Sequence, residues 1–62
     1  MKDFVVKFEI DGELHQLVFS DEISNPIARE INAKMWISDY IKQNFRGERK
    51  LYRIISINQI SL

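Results

Sequence analysis

Cysteine is missing altogether from these 62 residues, and proline, histidine and tryptophan occur once each. Without cysteine there is no disulfide framework, no thiolate nucleophile and no cysteine-based zinc knuckle. Two isolated glycines cannot build a phosphate-cradling loop, and no apolar stretch approaches the roughly 18 residues of a membrane span. An excess of one charge is lacking too, since nine basic residues balance nine acidic ones and the sequence pI is near 6.6. No apolar signal core of about 7 to 15 residues follows Met1-Lys2-Asp3-Phe4, so a cytoplasmic location is expected.

What is present fits one globular domain over residues 1–62, with 45% apolar and 29% charged residues. A chain this short buries only about 60% of the surface it exposes when unfolded. Below roughly 70 to 80 residues a single core seldom supplies more than about 3 to 5 kcal/mol, and association often adds the rest.

From Phe4 to Ile10 apolar and polar positions alternate, with Phe4, Val6, Phe8 and Ile10 on one side. Asp11-Gly12 follows, a strong hairpin signal because both central residues of a type I′ turn need positive φ. A second strand over Glu13 to Phe19 then pairs Phe4 with Phe19, Val6 with Leu17, Phe8 with His15 and Ile10 with Glu13. A three-residue bulged loop is the competing register, and it would scatter Leu17 and Phe19 to the far side. Asn25 suits an N-cap and Pro26 a first helical position, so a helix is expected from 26 to about 45, with Ser38-Asp39 as a candidate break. Ile27, Ala28, Ile31 and Met35 form one helical stripe and Ile37, Ile41 and Phe45 lie beside it, together the side expected to pack on the sheet. Lys34, Ser38 and Lys42 lie near its middle, Ala33, Trp36 and Tyr40 widen one flank, and Arg46-Gly47 closes the helix. The β-branched run from Lys50 to Ile57 reads as a third strand with apolar demand on both sides: Leu51, Ile55 and Ile57 on one, Tyr52 and Ile54 on the other.

These elements predict an α+β fold: a three-stranded, mainly antiparallel ββαβ sheet in order 2-1-3, preferred over 1-2-3, with one helix packed on one face. One helix covers one side only. The opposite face collects Val5, Leu14 and Val18, joined by Tyr52 and Ile54 or their odd-numbered neighbours, and this is the expected site of self-association or of a protein partner. Trp36 and Tyr40, one helical turn apart, are a second candidate contact and equally a candidate core rim.

A nucleic-acid reading is the alternative. Lys42, Arg46, Arg49, Lys50 and Arg53 crowd around the helix end with Tyr52 between them, although zero net charge and the absence of a zinc finger or RNP-type segment oppose it. Residues 1–30 hold three basic and seven acidic side chains, residues 31–62 six basic and two acidic, an asymmetry that suits alignment of two copies. His15 is solitary, and Asp11, Glu13 and His15 lack metal-ligand spacing, so no metal or cofactor is expected. The serines lack a nucleophile-elbow context, no small-molecule substrate is evident, and a non-enzymatic protein is expected. Asp21, Glu22 and Asp39 read as solvated turn and helix carboxylates before they read as a decoy of DNA phosphates.

The whole pattern runs from Phe4-Val5-Val6-Lys7-Phe8-Glu9-Ile10-Asp11-Gly12 through one helix to Arg53-Ile54-Ile55-Ser56-Ile57. It resembles the short strand-strand-helix-strand proteins of phages, prophages and mobile elements. The resemblance implies a small accessory or host-directed protein that acts by binding. It brings no catalytic or binding motif, so it assigns no residue a role, and Asn25-Pro26 and Met35-Trp36-Ile37 depart from the commonest form.

Overall fold

The computed structural model describes residues 2–22, 25–46, 48 and 50–60. Strands β1 (Lys2–Ile10) and β2 (Glu13–Asp21) are followed by helix α1 (Pro26–Asn44) and strand β3 (Tyr52–Gln59). The sheet order is β2-β1-β3 and both pairings are antiparallel, so the fold is the α+β ββαβ arrangement with order 2-1-3.

Asp11 and Gly12 hold φ of 51° and 81°, the two positive values that a type I′ turn demands. The two-residue loop sets the register Phe4↔Phe19, Val6↔Leu17, Phe8↔His15 and Ile10↔Glu13, and the bulged alternative does not form. Flanked on both sides, β1 seals its inward residues: Phe4, Val6, Phe8 and Ile10 are at most 3% exposed. Phe19 stacks on Phe4 with ring centroids 5.8 Å apart.

α1 starts where Asn25 Oδ1 accepts the Ile27 N–H at 2.9 Å, ahead of Pro26 at the first turn. It runs unbroken past Ser38-Asp39 to Asn44, and the Phe45 N–H donates to the Ile41 carbonyl at 2.8 Å. Arg46 takes the left-handed conformation after the helix, at φ 47°. The expected terminal glycine, Gly47, lies outside the described residues.

Asp21, expected as a solvated turn carboxylate, is the last residue of β2 and only 6% exposed, and two expectations about facing also need correction. In α1 the buried residues are Ala33, Ile37 and Ile41, while Ile27, Ile31 and Met35 stand in solvent. Residues two apart on a helix are about 200° round from each other, so these are two nearly opposed stripes. Ala33, Ile37 and Ile41 share one buried cluster with Phe4, Phe8 and Phe19 of the sheet. Arg29, whose guanidinium lies 4.2 Å from the Phe4 ring centre, and Tyr40, hydrogen-bonded to His15, pin the rotation at two points along the helix.

In β3, Phe8 pairs with Ile54 and Lys7 with Ser56, leaving Ile55 as an extra, bulged residue. The bulge shifts the alternation by one, so Tyr52, Ile54 and Ile57 all pack against the core. Tyr52 and Ile54 are therefore core-side residues and do not join Val5, Leu14 and Val18; of the two expected alternatives it is their odd-numbered neighbours, Leu51 at 90% and Ile55 at 50% exposure, that stay outside.

Candidate interaction site

The sheet face away from α1 is built from odd positions of β1 and even positions of β2. Leu14 and Val18 lie on it at 62% and 60% exposure, and Val5 sits half-buried opposite Val18. Polar side chains interrupt them. Arg53 reaches Glu9 at 3.5 Å, the Ser20 hydroxyl donates to Asp3 at 2.7 Å, and Lys7 faces Gln16 in the middle row. Lysine and arginine stems also shelter apolar neighbours, so this face holds separate apolar spots and no continuous sheet of them.

Trp36 and Tyr40 line one cleft with Leu17, Val18, Asp39 and Gln43 at the β2 side of the molecule but differ in exposure, and Trp36 is 47% exposed. Tyr40 is half-buried, its hydroxyl 2.9 Å from His15 Nδ1 and its ring edge-on to Phe8. His15 stacks on Phe8 at 5.7 Å, and its Nε2 lies 3.7 Å from Glu13. Its short polar contact is thus made within the wall of the core, which is a structural use of the ring.

The longer unbroken apolar stripe is on α1. Ile27, Ile31 and Met35 are 70%, 57% and 64% exposed at i, i+4 and i+8, and Ala28 and Asn32 complete a shallow groove with Ile31 and Met35. Lys34, Ser38, Asp39 and Lys42 border it. Among the described residues neither lysine has a carboxylate within ion-pair distance. Reading the stripe as core hid this site in the sequence. The available signal was the polar break at Lys34, Ser38 and Lys42, which separates two apolar stripes where a core-facing helix needs one.

Among the described residues of the basic segment, two cations are already paired with carboxylates. Lys50 Nζ is 3.3 Å from both Asp11 and Glu48, and Arg53 is turned to Glu9. The hydrogen bond to Asp11, with Glu48 adding to it, holds the Lys50 ammonium above the ordinary value of 10.5. Lys42 and Arg46 are exposed, and Arg49 lies outside the described residues. Among the described residues no group of three or more His, Asp or Glu side chains is placed to hold a metal ion, and no helix is long and apolar enough to cross a membrane.

No protein-family model, curated protein or solved structure matches the chain.

Proposed function

We propose that this is a small non-enzymatic binding module that docks another protein on the outward stripe of α1. One observation carries the reading: a helix that already buries Ala33, Ile37 and Ile41 keeps Ile27, Ile31 and Met35 in water on the other side. Burying a large aliphatic side chain from water is worth about 1.5 to 3 kcal/mol, so these three half-to-two-thirds exposed groups hold on the order of 3 to 5 kcal/mol before the costs of association. The fitting partner is an amphipathic helix whose apolar side is bordered by carboxylates, which complement Lys34 and Lys42. The resemblance to short ββαβ proteins of phages and mobile elements agrees with an accessory protein acting this way. Nucleic-acid binding has less support, since Lys50 and Arg53 already face carboxylates.

The test is co-purification from the native cell with the parent chain, Ile31→Asp and Met35→Lys. Exposed substitutions of this kind change stability by about 0.5 kcal/mol or less, so folding serves as the control. The parent should retain a partner that both variants lose. A partner held equally by all three refutes docking on α1.

A further inference from the structure

We infer that the free margin of β2 is a self-pairing surface, on which a second copy lays its own β2 antiparallel and two three-stranded sheets become one of six strands. The two margins of the sheet are built differently. β3 carries the Ile55 bulge and Arg53, devices that keep an edge strand from accepting another. β2 stays in unbroken register with β1 over nine residues, and from Leu14 to Ser20 it contains no acid, lysine, arginine, proline or glycine.

The hairpin determines which backbone groups are free. Ile10 and Glu13 flank the two-residue loop and exchange both backbone hydrogen bonds, so the alternation of an antiparallel ladder commits the odd-numbered residues of β2 to β1. Leu14, Gln16, Val18 and Ser20 then aim their N–H and C=O groups away from the sheet. Ser20 agrees, because its carbonyl accepts from the Asn32 side chain of α1 at 3.5 Å. That contact closes one end of the margin and leaves Leu14, Gln16 and Val18 open.

A two-fold axis through Gln16 sets Leu14 against the second copy's Val18, Gln16 against Gln16, and Val18 against the second copy's Leu14. All three are hydrogen-bonding pairs by the same parity, and their side chains share the outer face. The two most exposed apolar residues of β2 therefore cover each other twice, and the two glutamine amides meet on the axis. A slip of one residue faces the wrong backbone groups, and a slip of two breaks both Leu14–Val18 pairs. A copy seated there also shields Trp36, which shares its cleft with Leu17 and Val18. The surface is independent of the α1 stripe, being carried by different residues.

The test is sedimentation velocity of the full chain across the micromolar range, with the emission of Trp36, the sole tryptophan, followed on dilution. A dimer is expected, with Trp36 emission moving to the red as it dissociates. Gln16→Pro removes an N–H that bonds nothing within the chain, and it should weaken the dimer roughly tenfold or more. Val18→Lys should do the same, and its exposed position keeps the test open if the proline disturbs folding, which circular dichroism checks. Met35→Lys should leave the dimer intact. A parent that stays monomeric overturns the inference. So does a dimer that withstands Gln16→Pro and Val18→Lys but dissociates with Met35→Lys, which moves the self-contact to α1. Partner capture on α1 is read separately, so either proposal can fail alone.

Discussion

β1 is apolar on one side and α1 on two. The inward residues of β1 are sealed between two strands and a helix, while its outward side carries Asp3, Val5, Lys7 and Glu9. α1 sends Ala33, Ile37 and Ile41 inward and leaves Ile27, Ile31 and Met35 outside. The fold thus uses up the apolar surface of its central strand and only half of that of its helix. In a two-layer domain of this size, the helix and the sheet margins are where apolar surface remains for other molecules.

The sharpest way to break that contrast is to truncate residues on either side of it. Phe8→Ala, at a fully buried position, should cost about 3 to 5 kcal/mol, comparable with the whole stability expected of such a chain, and denaturation should find the variant largely unfolded. Ile37→Ala should cost about 2 to 5 kcal/mol, whereas Ile31→Ala, on the solvent side of the same helix, should stay within about 0.5 kcal/mol. Equal losses for the two isoleucines would show that the stripes are assigned the wrong way round.

A smaller effect separates the turn from the core. A Cβ at Gly12 would meet nothing within 4 Å, so Gly12→Ala should cost only the backbone strain of φ +81°, about 1 to 2 kcal/mol by urea titration. A loss as large as that of Ile37→Ala would mean that the turn bears on the core. The smallest effect concerns Lys50. Its pKa is raised in the folded chain by Asp11 and Glu48, so its contribution is complete below the unfolded value of 10.5 and disappears as pH rises through the folded value. The denaturation midpoint of the parent should therefore fall towards that of Asp11→Asn in alkali, and a constant gap between them would exclude the linkage.

Most of the hairpin was legible because period two leaves a strand a single choice of buried face, and of the two turns open at Asp11-Gly12 only the two-residue one gathers Leu17 and Phe19 on that face. The start of the helix was legible from Asn25 and Pro26. The orientation of the helix was not, since Ile31 and Ile37 read alike in the sequence, and only the packed structure separates the buried Ile37 from the exposed Ile31. Nor was the facing of Tyr52 and Ile54, because a bulge of one residue leaves no mark in a run of β-branched side chains. The candidate site followed these two failures: Val5, Leu14 and Val18 are where alternation puts them, and the α1 stripe was hidden inside a core assignment.

The position of β1 in the middle of the sheet also governs how the molecule assembles. Its partners in β2 are its neighbours along the chain, whereas Ile10 meets Tyr52 and Phe4 meets Gln59 only after the whole helix has intervened. Closing that long loop costs more entropy than closing the hairpin, so the pairing of β3 is expected to follow that of β2. Until it happens, the most hydrophobic strand of the protein has a vacant side, and the kinetics of β3 docking set how long the nascent hairpin is open to capture by other chains.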